Sequence, residues 1–180
     1  MTMKSKHENI AEYILYLWQM EDLVRAFPND EALQQTEFLR DLLNMMRTEG
    51  VMSSGHVQIA QIALGELEDL HADLLDTEAT YRAAYMQLLP QLNILKSKSD
   101  NPLQSDLSMM FVFLYNIMLL NMQKKPISQP TAALQQQVTQ LLRYLSRTYK
   151  ERLERCAVEP ETCTAKQIVP EGIRNMKLET

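Results

Sequence analysis

The stretch that decides the fold is Leu107–Met122, which reads LSMMFVFLYNIMLLNM. Its apolar side chains fall on nearly every side of a helix rather than along one stripe, and such a helix is stable in water only when other elements surround it. The stretch is shorter than the roughly 20 residues that a membrane span needs, and two asparagines interrupt it. The pattern therefore predicts a buried central helix over about 102–124 and no membrane association.

The composition of the chain favours helices over strands. The 180 residues include 27 Leu and 12 Met, but only 16 Val plus Ile and 4 Gly, and unbranched side chains lose less freedom in a helix than β-branched ones. A chain of this length normally forms a single domain. We expect an all-α, single-domain bundle of five to six helices over residues 1–155, followed by an irregular tail over 156–180, where prolines and a glycine break any periodic pattern.

Capping residues and a proline mark the ends of the first two helices. Ser5 and Glu8 have the spacing of a capping box, so the first helix is predicted to begin at Ser5 and to end before Pro28. Asn29 then caps a second helix. Gly50 is predicted to end that helix, because glycine readily takes the left-handed conformation that follows a helix C-terminus.

The middle of the chain allows two interpretations. Apolar residues recur at the helical period over 59–74 and again over 81–95. The pattern loosens near Thr77, so either two helices meet there or one long helix bends. A sixth helix follows Pro130 and carries its apolar stripe to Leu153.

Charge is segregated along the chain. Residues 1–100 carry a net charge of −8 and residues 101–180 a net charge of +3, which together give the total of −5. Domains that bind duplex nucleic acid normally carry a basic footprint. Nucleic acid is therefore not an expected partner.

The segregated charges form two ridges at helical spacing. The acidic ridge lies along the third helix and consists of Glu66, Asp69, Asp73 and Asp76. The basic ridge lies along the sixth helix and consists of Arg143, Arg147 and Lys150. Three interpretations stay open: two solvated faces, ridges that pair within the chain or across a dimer, or an acidic ridge that binds a divalent cation or a basic partner.

Motifs that carry catalysis or bind metals are missing from the sequence. There is no Gly-x-Ser-x-Gly, no glycine-rich phosphate loop and no Cys-x-x-Cys. Glu68 and His71 form one Glu-x-x-His, but a di-metal site in a helical bundle needs a second copy. The simpler interpretation is that His71 is partly exposed and hydrogen-bonded to a neighbour. We therefore predict no catalytic, cofactor-binding or metal-binding residues.

The first helix is the candidate for a contact surface. It crowds together aromatic and charged side chains, more than core packing requires, at Tyr13, Tyr16, Trp18, Glu21 and Arg25. Aromatic side chains with polar tips, and arginine, are frequent at protein interfaces. The competing interpretation places Trp18 in the core and treats Glu21 and Arg25 as an ordinary i, i+4 ion pair.

A ligand pocket is the alternative candidate site. It would lie between the first, fourth and fifth helices, lined by Tyr13, Tyr85, Tyr115 and Asn116. Asn116 decides this hypothesis, because a buried amide must find hydrogen-bond partners and a ligand can supply them.

Three features together resemble a known family. They are the segment NIAEYILYLWQMEDLVR at 9–25, the sequence LLP at 88–90 and the apolar fifth helix. The resemblance is to an uncharacterised bacterial family of small all-helical proteins, a domain of unknown function without assigned catalytic residues. It implies a small helical protein and no mechanism.

The function that these observations favour is non-enzymatic. We expect a helical bundle that works through protein contacts or self-association, as a homo-oligomer or with a protein partner, through the first helix or the basic ridge. A ligand-binding or enzymatic bundle is the alternative. A transcriptional regulator would need a basic recognition helix after a short helix and a tight turn, and the sequence shows none.

No secretory cleavage signal follows the first apolar stretch, so the expected compartment is the cytoplasm.

Overall fold

The protein is a bundle of α-helices. The computed structural model describes residues 5–31, 35–101 and 104–158. These residues contain six principal helices and no strand, the helices being α1 (Ile10–Ala26), α2 (Glu37–Thr48), α3 (Gln58–Thr77), α4 (Ala79–Ser97), α5 (Asp106–Met122) and α6 (Gln129–Val158). The predicted all-α, single-domain bundle is confirmed.

Two helices, α3 and α6, organise the packing. Both contact α1, α4 and α5, and they also contact each other, whereas α2 packs against α1. Apolar residues from all six helices form one core, with Ile14, Leu42, Leu67, Leu92 and Leu145 among its fully buried members. Apolar burial of this kind is the main favourable contribution to folding.

The apolar helix predicted over about 102–124 is α5. It begins at Asp106 because the Ser105 side chain accepts a hydrogen bond from the Ser108 N–H at 3.0 Å, which satisfies one of the free N–H groups at a helix start. The N-terminal half is enclosed by the chain itself, and Leu107, Met110 and Phe111 are almost fully buried.

The C-terminal half of α5 reaches the surface. Asn116 and Asn121 are exposed, and Met122 is 61% exposed, while Ile117 keeps this half attached to the core. No helix among the described residues is both long and apolar enough to cross a membrane. The helix is therefore central at one end and superficial at the other.

The starts of α1 and α2 differ from the prediction. Asn9 caps α1 by accepting the Glu12 N–H at 3.2 Å, and the Ser5 capping box instead forms a turn before the helix. Glu31 is helical, and its carbonyl accepts the Gln35 N–H at 3.1 Å, but residues 32–34, over which the predicted second helix would continue, lie outside the described residues. Helix α2 begins at Glu37, after the turn at residues 35–36. Gly50 follows the end of α2 in the left-handed conformation, with φ of 71°, as predicted.

The middle of the chain forms two separate helices rather than one bent helix. Glu78 has an extended backbone, with φ of −115° and ψ of 101°, and separates α3 from α4. Helix α4 continues through Pro90. Helix α6 extends to Val158, three residues into the expected tail, and residues 159–180 lie outside the described residues.

Candidate functional site

A buried carboxylate joins α1 to the loop before α3. Glu21 is 0% exposed; its Oε1 accepts the Val57 N–H at 2.9 Å and its Oε2 lies 2.6 Å from His56 Nδ1. A charged group is tolerated away from water only when it is paired and hydrogen-bonded in this way. The sequence left Glu21 either at an interface or in an ordinary i, i+4 pair with Arg25, and in the structure Glu21 lies inside the fold.

Two neighbours of Glu21 hold the same loop. The Trp18 and His56 rings are stacked, with centroids 4.2 Å apart and planes 9° apart. Arg25 donates to the Val51 carbonyl at 3.2 Å, to the Gly55 carbonyl and to Asp22 at 2.9 Å. The loop between α2 and α3 is thereby fixed on α1.

Helix α5 joins this arrangement through Tyr115. The Tyr115 hydroxyl donates to Asp22 at 2.5 Å. The ring centroids of Tyr115 and Trp18 lie 5.9 Å apart, with the two rings edge to face. Burial and the Asp22 carboxylate raise the pKa of Tyr115 above its ordinary value, so it remains a donor at neutral pH. We call this set the α1 cluster: Trp18, Glu21, Asp22, Arg25, His56 and Tyr115.

The two remaining candidates on the first helix also contact their own chain. Tyr13 is half-buried against the core, and burial raises its pKa. The Tyr16 ring lies 5.9 Å from Phe38 in α2. The aromatic side chains of α1 thus contribute to packing within the bundle.

A second polar cluster lies where α3, α4 and α5 meet. His71 Nδ1 is 2.6 Å from the Tyr81 hydroxyl, Tyr85 donates its hydroxyl hydrogen to Asp106, and Lys96 forms an ion pair with the same carboxylate. We call these five residues the tyrosine–aspartate cluster. Of these five residues the sequence indicates Tyr85 as a candidate pocket residue and His71 only as half of an incomplete Glu-x-x-His pair, because the five come from three helices and no short motif links them.

The protonation states of the tyrosine–aspartate cluster follow from burial and neighbouring charge. Burial lowers the pKa of His71, and the Asp106 charge only partly offsets that effect. Burial by itself would raise the pKa of Asp106, but hydrogen bonds from Lys96 and Tyr85 outweigh it and lower the pKa. Burial and Asp106 raise the pKa of Tyr85. At neutral pH a neutral imidazole, bonded to Tyr81, therefore lies near an ionised carboxylate that is bonded to Tyr85 and Lys96.

The pocket expected between the first, fourth and fifth helices is not assembled. Tyr115 belongs to the α1 cluster and Tyr85 to the tyrosine–aspartate cluster. Asn116 is exposed, so the prediction of a buried amide is wrong. The error arises because Asn116 faces solvent on an otherwise apolar helix. The prediction that His71 is partly exposed is also corrected, since it is buried against Tyr81.

The acidic ridge meets α6, but not through the basic ridge. Glu66 binds Lys6 at 2.7 Å and accepts the Tyr149 hydroxyl at 2.6 Å, and Asp73 pairs with Arg152. Other members of the acidic ridge, Asp69 and Asp76, are exposed.

The basic ridge points outward on α6. Arg147 and Lys150 lie 3.7 Å from Glu151 and Glu154 of the same helix, and Arg143 is exposed. The described residues contain no group of His, Cys, Asp or Glu arranged to hold a metal ion.

An open groove runs between α4 and α6. Two depressions of about 230 Å³ and about 530 Å³ share Gln137 as a lining residue. Leucines of both helices line its length, with Tyr81 and Tyr144 at one end and Lys98 and Pro130 at the other. The remaining lining residues are small or uncharged: Thr80, Ala84, Gln87, Gln91, Ile94, Thr131, Ala133 and Gln140. We call this feature the α4–α6 groove. Sequence reasoning missed it, because a concavity depends on how two helices lie side by side.

Comparison with known proteins finds one family that matches this chain. The family described as domain of unknown function DUF4924 matches residues 1–37 and 27–155, which together cover most of the chain. The chain belongs to the DUF4924 family. No curated protein and no solved structure shows significant similarity to it. Membership in DUF4924 confirms the resemblance to an uncharacterised family and assigns no function.

Proposed function

We propose that this DUF4924 protein is a non-enzymatic helical module that works through protein contacts and that the α4–α6 groove is its contact surface. The groove supports the proposal because it is elongated, open to solvent and, apart from Lys98 at one end, lined by apolar and uncharged polar side chains. Clefts between helices commonly receive the apolar face of another helix.

The polar groups elsewhere in the bundle favour the same proposal. In the α1 cluster and in the tyrosine–aspartate cluster, each carboxylate is bonded to side chains or backbone of the chain itself. These bonds stabilise the bundle. They also occupy the hydrogen-bonding atoms that would otherwise bind a substrate. The first helix, which the sequence suggested as an interface, is occupied by packing within the chain. A bacterial source and a cytoplasmic location belong to this proposal, and fractionation of cells that produce the protein tests the compartment.

The experiment is a pair of matched arginine substitutions. Ala84→Arg places a long charged side chain in the groove, whereas Ala72→Arg places it on the exposed side of α3. Sedimentation velocity of the purified full chain, from micromolar to millimolar concentration, measures self-association. We expect the wild type and Ala72→Arg to associate and Ala84→Arg to remain monomeric. Equal association of all three proteins, or a wild type that is monomeric throughout, contradicts the proposal.

A further inference from the structure

We propose that α2 is a movable cover on α1, which opens as a unit while the rest of the bundle stays folded. The cover lies apart from the α4–α6 groove, so its opening does not depend on the proposed function. The packing of the helices supports this motion. Helix α2 packs against α1, whereas α1, α3, α4, α5 and α6 each pack against several helices. Loss of one helix–helix contact would therefore release α2 and no other helix.

The side chains of α2 form no hydrogen bond or ion pair with another helix in the part of the chain that the structure describes. The Thr48 hydroxyl donates to the Asn44 carbonyl at 2.9 Å, and Arg40 lies 3.9 Å from Asp41, so these contacts all stay within α2. Polar bonds do join other helices, in the α1 cluster and in the tyrosine–aspartate cluster. Apolar contact is therefore what holds α2 on α1.

This apolar contact is small. The buried residues of α2 are Leu42, Leu43 and Met46, and the Phe38 ring lies 5.9 Å from the Tyr16 ring of α1. Helices α3 and α6 bury six and seven residues respectively. Regions with few buried apolar contacts open at a lower free energy than the whole fold. We therefore expect α2 to open while the core is still intact.

The chain that follows α2 is anchored by bonds that involve no residue of 37–48. The Glu49 carboxylate accepts the Gln58 N–H at 2.6 Å, and the Val51 carbonyl accepts a hydrogen bond from Arg25 at 3.2 Å. Gly50 lies between these two anchors in the left-handed conformation, with φ of 71°. Helix α2 can thus leave α1 without breaking either anchor, and its C-terminal end stays attached to α1 and α3.

The surface beneath α2 is an apolar stripe of α1. Tyr13, Tyr16, Met20, Leu23 and Phe27 recur at intervals of three and four residues, so they lie on the side of α1 that meets Phe38. None of the five is fully buried, and Phe27 is 54% exposed. Helix α2 therefore covers the stripe incompletely, and its opening would expose more of it.

Amide hydrogen exchange of the full chain tests the opening. A helix of 12 residues is marginal in water on its own, so the amides of α2 exchange when the helix leaves α1. We expect them to exchange about tenfold or more faster than the buried amides of α3 and α6. Dilute urea is expected to accelerate exchange strongly in α3 and α6 but only slightly in α2, because the urea dependence scales with the surface that an opening exposes.

Leu67→Ala and Leu42→Ala are a matched pair of substitutions, one in α3 and one in α2, at fully buried positions. Leu67→Ala weakens the core, so exchange in α3 and α6 is expected to accelerate by about 30-fold or more. The opening of α2 leaves Leu67 in place, so exchange in α2 is expected to change by less than about threefold. Leu42→Ala weakens the closed position of α2 itself and is expected to accelerate exchange in α2 by about 30-fold or more.

Three results would overturn the movable cover. They are exchange in α2 as slow as in α3 and α6, equal acceleration of α2 and the core by urea, and equal acceleration of α2 and the core by Leu67→Ala. The urea series uses the wild type, so it decides the question even if Leu67→Ala does not fold. Association of the Ala84→Arg variant is measured separately, so failure of the cover and failure of the proposed function are distinguishable.

Discussion

The carboxylate of Glu21 in α1 holds the backbone N–H of Val57, the residue that caps α3, at 2.9 Å. Glu21 and Val57 are both fully buried. One side chain of the first helix thereby fixes where the third helix begins, and the stacked rings of Trp18 and His56 cover that junction. The α1 cluster is thus a structural joint between α1, the loop before α3 and α5.

Glu21→Ala tests the importance of this joint. The substitution leaves the Val57 N–H buried without an acceptor, and removes the partner of His56, so we expect the free energy of unfolding to fall by about 2 to 4 kcal/mol. Asp69→Ala, an exposed change on α3, is the control and is expected to alter it by less than about 0.5 kcal/mol. Urea denaturation followed by circular dichroism measures both values. A loss for Glu21→Ala no larger than that of the control contradicts the structural role.

Phe111→Ala and Met122→Ala compare the two ends of α5. Phe111 is 0% exposed, and its truncation is expected to cost about 3 to 5 kcal/mol through lost burial and a residual cavity. Met122 is largely exposed, and its truncation is expected to cost less than about 0.5 kcal/mol. Thermal and urea unfolding measure the difference. Similar costs at the two positions would mean that α5 does not pass from the core to the surface.

Tyr85→Phe removes a hydroxyl that donates to Asp106. A lost hydrogen bond to a charged group is expected to cost about 1 to 2 kcal/mol. Tyr16→Phe is the matched control, because the Tyr16 hydroxyl forms no hydrogen bond with another described residue. Equal unfolding free energies for the two variants would contradict a stabilising hydrogen bond between Tyr85 and Asp106.

The stability of the protein is expected to depend on pH through His71. Burial lowers the pKa of His71 in the folded state, while in the unfolded chain the pKa returns to about 6.5. As the pH falls below that value, the unfolded chain takes up a proton that the folded protein resists, so stability is lost with acidification. The loss continues until the pH passes the lowered pKa of the folded state.

His71→Gln is expected to remove this part of the pH dependence. Unfolding free energies measured between neutral pH and mildly acidic pH should fall less steeply for the variant than for the wild type. His7 and His56 are present in both proteins, so their contributions cancel in the comparison. A variant whose slope equals that of the wild type excludes His71 as the cause.

The apolar residues predicted the fold because their pattern is local. The continuous run in α5 and the periodic stripes of the other helices identify an all-α bundle without knowledge of its contacts. The start of α1 was missed because Ser5 and Asn9 both begin a capping pattern, and the chain uses the one at Asn9. Local sequence identifies residues that can cap a helix, but it does not show which of two neighbouring candidates the helix uses.

The polar sites depend on contacts that the sequence does not display. Glu21 and Arg25 have the spacing of a surface ion pair, and only the distant residues His56 and Val57 make Glu21 a buried anchor. Asp106 likewise follows Tyr85 by many residues and belongs to another helix. Asn116 lies in the most apolar stretch of the chain and still faces solvent, because one edge of α5 is left uncovered.

The most direct test of the central claim is a map of the contact surface on the protein itself. Amide chemical shifts of the full chain, measured by nuclear magnetic resonance at increasing protein concentration, report which residues enter an interface. We expect the shifts in α4 and in the first half of α6 to change with concentration, while those of α2 stay constant. Shifts that do not depend on concentration, or changes confined to α1 and α2, would contradict contact through the α4–α6 groove.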